Sequence, residues 1–302
     1  MMSTKMTRNT FLQGSGALLS AALFMPTTLL GAASQRYKMG LQLFTIRDAM
    51  AKDVKGTLRK VSAIGYRDLE TYGFDPEAVK YYGLDAYEFK KLLDENQLTT
   101  SSGHYDLFLF LDKSNDELKR YIDKCIEGAV ILGQRYITWP WLTPESRSIE
   151  KFKLLTEKLN IAGEQISQAG LGFAYHNHDF EFVDHNGETG YEIIMKETDP
   201  KLVKLQIDLY WVMHSSKLSP RELFDKQPGR FVMWHIKDMH KVSRDYTELG
   251  NGSIDYRLIL PDAQRSGMEF YFLEQGGNFK SNSMLSVEQS AKFFKKNLEA
   301  LL

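Results

Sequence analysis

Beyond Ser34 the chain alternates between two patterns of apolar and polar residues. Short apolar or β-branched runs predict buried strands, and longer runs with an apolar residue every three or four positions predict amphipathic helices. The eight candidate strands are YKMGLQLF, YRDLET, LTTSSGH, RYITWP, LGFAYHN, VKLQIDLY, FVMWHIKD and MEFYFLEQ. The helical patterns include DVKGTLRKVSAIG, DAYEFKKLLDENQ, NDELKRYIDKCIEGAVILG, IEKFKLLTEKLNIAGEQISQAG and VEQSAKFFKKNLEALL. Two of the helices are expected to end at Gly133 and Gly170, because glycine is common just after a helix.

This alternation predicts parallel strands joined by helical crossovers. Eight strand–helix units in roughly 250 residues suit a single (β/α)8 barrel, which we expect over residues 34–302. The alternative is an open doubly wound sheet, but no glycine-rich phosphate loop follows the first strand. The fold class predicted from the sequence is therefore α/β, a TIM barrel.

Residues 1–33 have the layout of a secretory signal peptide. Lys5 and Arg8 precede a short apolar run, and the small residues Gly31, Ala32 and Ala33 follow it. This order predicts cleavage near Ala33 and export to the periplasm.

Two other interpretations of this segment stay open. The segment could instead form an apolar arm that packs on the domain. A permanent membrane span is less favoured, because Pro26 and the small residues interrupt the apolar run. The stretch TRNTFLQG is similar to a twin-arginine export signal, but Asn9 stands where the second arginine belongs. The export route is therefore undecided.

Composition narrows the classes of partner. The net charge is −1, from 38 Lys and Arg against 39 Asp and Glu, and nothing in it suggests the basic face that nucleic-acid binding usually needs. The single cysteine, Cys125, excludes an internal disulfide. From this charge balance no nucleic-acid partner is expected, and the oligomeric state stays open.

Ionisable residues stand at the carboxyl ends of six of the eight candidate strands. They are Glu70, His104, the group from His176 to Glu181, Asp208, the group His235, Lys237 and Asp238, and Glu274. Catalytic groups of TIM barrels come from this rim. Carboxylates and imidazoles that converge there predict a divalent metal site. Each residue alone is more often a helix cap or a satisfied core group, and the recurrence of such residues at successive strand ends is what favours a site.

At these residues the sequence resembles a known family, the xylose isomerase-like barrels that include sugar phosphate isomerases/epimerases, ketose 3-epimerases and inosose dehydratases. The resemblance runs from about Met39 to the C-terminus and rests on LQLFTIRD, YHNHDFEF, QIDLYWV, PGRFVMWHIKDMH, ELGNGSIDY and FLEQ. It implies that a divalent ion is held by an acid on the fifth strand together with Asp208, His235 and Glu274.

The fifth strand departs from the pattern of the epimerases, because His176 stands where they place a glutamate. The predicted metal ligands are therefore His176, Asp208, His235 and Glu274, with Mn²⁺, Co²⁺ or Zn²⁺ as the expected ion. The epimerases use two opposed glutamates as proton carriers, so the loss of one puts two-sided epimerisation in doubt. Glu274, His178 and Glu181 are the candidate bases.

A sugar or keto-sugar is the expected substrate. The residues predicted to bind it are Glu70, His104, Trp211, Lys237 and Asp238. Packing is an equally good interpretation of Trp211, and Lys237 and Asp238 could simply pair with each other.

The predicted activity is that of a metal-dependent isomerase or epimerase that abstracts an α-proton and stabilises an enediolate. Two alternatives are a lyase that eliminates a β-substituent from a keto-sugar or 3-keto-glycoside, and a sugar-binding protein without turnover. A relationship to the apurinic endonucleases of this barrel is disfavoured by the charge.

Overall fold

The computed structural model describes residues 37–302. The predicted signal peptide lies outside the described residues, so its cleavage and the export of the protein remain predictions. Among residues 37–302, no helix combines the length and the apolar character that a membrane crossing requires.

All eight predicted strands are present, and they form a closed parallel barrel. They are β1 Gly40–Gln42, β2 Asp68–Thr71, β3 Thr99–His104, β4 Tyr136–Trp139, β5 Gly172–His176, β6 Lys204–Asp208, β7 Met233–Ile236 and β8 Phe270–Leu273. Around the barrel the order is β1-β8-β7-β6-β5-β4-β3-β2, so each strand pairs with its neighbours in sequence and β1 closes on β8. The predicted (β/α)8 barrel is confirmed.

One or more helices follow each strand of the barrel. They are α1 Arg47–Lys52, α2 Val54–Ile64, α3 Ala86–Glu95, α4 Asn115–Leu132, α5 Ile149–Gln168, α6 Gly190–Glu197, α7 Leu209–Ser215, α8 Pro220–Lys226, α9 Ala263–Ser266 and α10 Ser283–Asn297. Helix α4 starts in a capping box at Ser114 and ends on Gly133, whose φ of 73° is left-handed. Gly170, the other predicted stop, follows the last helical residue of α5 by two positions and also has a positive φ, 78°.

The barrel interior is apolar at the amino end of the strands and polar at the carboxyl end. Alternate residues of a strand point to the same side, so Met233, His235 and Lys237 share one face of β7 and its extension. Buried Tyr136, Ala174, Met233 and Phe272 form the apolar layer. Gly40 packs so close to β8 that an added Cβ atom would lie 2.1 Å from the carbonyl oxygen of Tyr271. The barrel is therefore closed tightly at its base, and its polar end is left to the loops.

The loop after β7 forms a small antiparallel hairpin, in which Asp238–Met239 pairs with Tyr246–Thr247. A second small sheet, made of Phe74–Asp75, Lys80–Tyr81 and Leu84–Asp85, follows β2. Both lie in loops at the carboxyl end of the barrel, where they contribute to the rim.

Candidate active site

His235 lies between two carboxylates at the carboxyl end of the barrel. Its Nδ1 atom is 2.5 Å from Glu274 Oε2, and its Nε2 atom is 2.6 Å from Glu70 Oε2. Burial alone would lower the pKa of His235, but the two carboxylates raise it to about 9. The raised pKa favours the imidazolium form, in which both ring N–H groups face the carboxylates.

Glu70 is fully buried and accepts hydrogen bonds from several strands. Gln42 Nε2 donates to its Oε2 atom at 2.5 Å, and Gln206 Nε2 donates to its Oε1 atom at 2.6 Å. His104 Nε2 lies 3.1 Å from Oε2 and 2.7 Å from the side-chain oxygen of Gln206. Burial would raise the pKa of Glu70, but His104, His235 and their hydrogen bonds hold it well below its usual value. Glu70 is thus a fixed anion inside the barrel.

Lys237 bridges the other two acids of the site. Its Nζ atom lies 2.7 Å from Asp208 Oδ2 and 2.9 Å from Glu274 Oε2. The second oxygen of Asp208, Oδ1, caps α7 by accepting the backbone N–H groups of Tyr210 and Trp211. Burial raises the pKa of Asp208, with Lys237 opposing that effect. The pKa of Glu274 is lowered instead, because Lys237 and His235 outweigh its burial.

Two further imidazoles complete the group. His176 Nε2 lies 3.7 Å from Asp208 Oδ2, and the ring of His176 is 4.4 Å from that of His235 between centroids. The Nδ1 atoms of His176 and His178 are buried and have no hydrogen-bond partner among the described residues. Burial lowers the pKa of both histidines, with His235 and Lys237 respectively adding to the effect. Both are therefore neutral, the form in which an imidazole binds a metal or accepts a proton.

These residues fit a divalent metal ion. Ligand atoms of Asp208, His235 and Glu274 lie within 4.8 Å of one another, as do those of His104, His176 and His235. Carboxylate oxygen and imidazole nitrogen together suit Zn²⁺ and neighbouring transition metals. Glu70 beside Nε2 of His235 also provides the outer carboxylate that commonly fixes a metal-binding histidine. The structure thus brings the four predicted ligands together, with His176 at the edge of the set.

Six predicted site residues are absent from the lining of the cavity described below. Three of them, Glu70, Asp208 and His235, belong to the buried group described above, and the other three are Glu181, Trp211 and Asp238. Glu181 is buried, where its two oxygens accept the hydroxyl of Tyr175 at 2.7 Å and the backbone N–H of His178 at 2.8 Å. Trp211 packs against Tyr246 and His178.

Asp238, the third, organises the loop after β7. It accepts backbone N–H groups of Gly250, Gly252 and Ile254 at 2.9, 3.0 and 3.2 Å. A Cβ atom on Gly252 would lie 2.0 Å from the Asp238 carboxylate, so glycine is needed for this approach. In this arrangement Asp238 holds the loop.

A cavity of about 490 Å³ opens above the group. Its polar lining comes from Gln42, His104, Asp106, His176, His178, Lys237 and Glu274. Its apolar lining includes Phe44, Tyr72, Phe108, Trp141 and Tyr246, which we call the aromatic collar. The volume falls in the usual range of small-molecule sites, roughly 300–1,000 Å³.

Gln42, Gln206 and Tyr246 were missed by the sequence analysis. Both glutamines are neutral residues at or near strand ends, and they gave no signal of charge. Gln42 is the last residue of β1, and Gln206 lies two residues before Asp208 at the end of β6, so it shares a strand face with that aspartate. This position near the strand end is the pattern that could have identified both glutamines.

Residues 58–297, well over half of the chain, match the family model described as xylose isomerase-like TIM barrel. The chain belongs to the xylose isomerase-like TIM barrel family. This confirms the resemblance inferred from the motifs.

Proteins similar to this chain have names that describe different reactions. An inosose dehydratase of Geobacillus thermodenitrificans is 26% identical over 141 residues, which are 41% of this chain and 46% of that protein, so the match spans less than half of the relative. A sugar phosphate isomerase/epimerase structure from Parabacteroides distasonis superposes with a TM-score of 0.77 at 26% identity. The match covers 90% of this chain and 98% of the Parabacteroides chain.

Two more distant structures share the fold and contain metals. A xylose isomerase-like barrel protein from Mycobacterium smegmatis, in complex with magnesium, has a TM-score of 0.65 at 18% identity, over 88% of this chain and 98% of that one. The IOLI protein, with a bound zinc atom, has a TM-score of 0.68 at 17% identity, over 88% of this chain and 99% of that one. The fold thus accommodates divalent ions of different kinds.

Proposed function

We propose that this protein is a metal-dependent enzyme that removes the proton next to a carbonyl group of a sugar or keto-sugar, as isomerases and epimerases do. The observation that carries the proposal is the convergence of Asp208, His235 and Glu274 within 4.8 Å beside a cavity of about 490 Å³. The isomerase/epimerase from Parabacteroides distasonis, similar over nearly its whole length, supports the same class.

Asp208, His235 and Glu274, with His176 beside them, would hold the divalent ion, for which we propose Mn²⁺, Co²⁺ or Zn²⁺. When bound, the ion supplies Lewis-acid chemistry that favours an enediolate over the neutral carbonyl compound. Glu70 fixes the ring of His235 through the 2.6 Å contact to Nε2, which leaves Nδ1 on the side of Asp208 and Glu274.

The proton is removed by a side chain that lines the cavity. Glu274 is held ionised by Lys237 and His235, and it stands at the end of β8. His178 is neutral, and its Nδ1 atom has no hydrogen-bond partner among the described residues. We propose Glu274 as the base and His178 as the alternative. Glu181 is less well placed, because both of its oxygens are occupied and it does not line the cavity.

The cavity favours an unphosphorylated substrate. No arginine lines it among the described residues, and its lysine, Lys237, is already paired with two carboxylates. Arg47, near the rim, donates to the backbone oxygens of Phe44 and Gly276. Amide, imidazole and carboxylate groups suit the hydroxyl groups of a neutral sugar. The proposed export supports the same choice, since phosphorylated sugars are scarce outside the cytoplasm.

A second candidate function is β-elimination from a keto-sugar or 3-keto-glycoside. The observation in its favour is His176, which replaces the second acid that two-sided proton exchange would use. The dehydratase relative supports it, because dehydration is an elimination. The aromatic collar would also accept the apolar aglycone of a glycoside beyond the sugar.

Incubation with candidate ketoses and 3-keto-glycosides in D₂O, followed by NMR, tests the proposal. A one-base enzyme exchanges the α-hydrogen without scrambling that carbon, or releases the aglycone as exchange proceeds. Efficient interconversion of two C3 epimers, with His176→Glu no more active than wild type, would refute the one-sided chemistry. Absence of exchange with every sugar tested would favour a binding protein.

A further inference from the structure

We infer that Lys237 is an exchangeable counter-cation: it neutralises Asp208 and Glu274 in the metal-free protein and leaves them for the cavity when a metal ion binds. The inference rests on the proposed metal site and concerns a residue outside its ligand set. It assigns Lys237 a role in addition to the substrate contact expected from the sequence.

The contacts of Lys237 place its charge where the ligand atoms meet. Nζ lies 2.7 Å from Asp208 Oδ2 and 2.9 Å from Glu274 Oε2. The side chain is only 3% exposed, so these charges are not screened by water. The same two carboxylates belong to the triad whose ligand atoms lie within 4.8 Å.

The lysine and a metal ion compete for the same oxygen of Asp208. Asp208 Oδ1 is occupied by the backbone N–H groups of Tyr210 and Trp211, which begin α7. A cation in the site can therefore use Oδ2, the atom that Lys237 holds. An ammonium group and a divalent ion cannot share this short contact, because two like charges would then face each other in a buried site. Metal binding thus requires Nζ to move.

The cavity offers a place for the displaced ammonium group. Lys237 lines the cavity, and its Nζ atom lies 5.8 Å from the centre of the Tyr246 ring, a member of the aromatic collar. Cations are attracted to the face of such a ring. The flexible side chain of lysine allows this movement without a change in the backbone. In its new position, the ammonium group would face a substrate in the cavity.

Reductive methylation of the wild-type protein tests the movement directly. The protein is labelled with formaldehyde and a borane reductant, with EDTA or with saturating MnCl2, and each lysine is quantified by peptide mass spectrometry. We expect labelling of Lys237 to rise several-fold with Mn²⁺. Two internal controls stay constant: exposed Lys241, and buried Lys158, whose Nζ is fixed by the backbone oxygen of Lys113 and by Asn115. Unchanged or reduced labelling of Lys237 with Mn²⁺ would overturn the inference.

A variant provides an independent readout. Lys237→Met removes the competing cation, so we expect Mn²⁺ to bind at least about tenfold more tightly, which corresponds to about 1.4 kcal/mol. The metal-free variant should melt at a lower temperature than wild type, and Mn²⁺ should raise its Tm by more. Lys241→Met is the matched control and should match wild type. Equal or weaker Mn²⁺ affinity of Lys237→Met in calorimetry would contradict the inference, whereas no Mn²⁺ binding by wild type would refute the metal site itself.

Discussion

Nε2 of His235 lies 2.6 Å from Oε2 of Glu70, although the two residues stand on strands separated by β8 and β1 in the barrel. The contact crosses the interior and fixes the plane of the imidazole ring. A carboxylate that orients a metal-binding histidine commonly increases the affinity of the site for the metal ion. The buried anion on β2 is therefore expected to act on the proposed metal site through the histidine of β7.

Glu70→Gln should weaken metal binding by about 10- to 100-fold, the usual cost of losing such an outer carboxylate. Glu70 accepts hydrogen bonds from Gln42, Gln206 and His235. In the variant, the N–H groups of the new amide would face these donors, so at least one of the hydrogen bonds would be lost. Calorimetric titration with MnCl2 measures the loss. Glu77→Gln, on the surface, is the control. Equal affinities of the two variants would show that Glu70 does not support the site.

Asp208→Ala and His235→Ala should each lose bound divalent metal, because each removes one ligand of the proposed set. Elemental analysis of the purified proteins measures the metal content. Asp94→Ala is a suitable control, since Asp94 pairs with Lys90 on the outside of α3 and is 62% exposed. If the two site variants keep the wild-type metal content, the ligands are assigned wrongly.

Glu274→Gln should slow α-hydrogen exchange by about 10²- to 10⁴-fold, the usual contribution of a general base. Glu181→Gln should keep most of the exchange, because Glu181 does not line the cavity. Exchange in D₂O is followed by NMR, and the metal content of Glu274→Gln is measured alongside, since Glu274 is also a proposed ligand. Loss of exchange in Glu181→Gln with the fold intact would instead identify Glu181 as the base.

The pH dependence of stability should carry a contribution from Glu181. Burial raises its pKa from 4.5 to about 8 in the folded protein. Its contribution is therefore fully present below about pH 4.5 and is lost as the pH rises through about 8. Urea unfolding of wild type and Glu181→Gln at several pH values measures the difference. We expect the variant to lose less stability over this window, and parallel curves would contradict the shift.

The mature protein, isolated from its native host, should begin close to residue 34. The basic start, apolar run and small residues through Ala33 are the reason for this expectation. N-terminal sequencing and fractionation of the cells measure both cleavage and location. An uncleaved N-terminus on a cytoplasmic protein would remove the argument from export for an unphosphorylated substrate.

The sequence predicted the barrel because its strands are short, buried and evenly spaced, and these properties depend on local patterns. Asp208, His235 and Glu274 were predicted as site residues in the same way, from ionisable residues at strand ends. The bridge from Lys237 to two carboxylates could not be predicted, since it depends on the register between β6, β7 and β8.

Glu181 shows a different limit of sequence reasoning. It lies five residues after His176, and the direction of its side chain is set by the turn after β5 rather than by the alternation of a strand. The turn directs it to the hydroxyl of Tyr175 and the backbone of His178. Nothing in the stretch HNHDFEF distinguishes this buried position from a place in the cavity.

The carboxylate of Asp238, through its hydrogen bonds to Gly250, Gly252 and Ile254, holds together the loop after β7, whose hairpin carries Tyr246 of the aromatic collar. Association therefore loses little conformational entropy in this loop. The heat capacity change on binding should then reflect dehydration of the aromatic collar rather than folding of a segment. At Tyr246, discrimination between substrates is therefore expected to be steric, because the hydrogen-bonded loop resists the movement that a larger substituent would require.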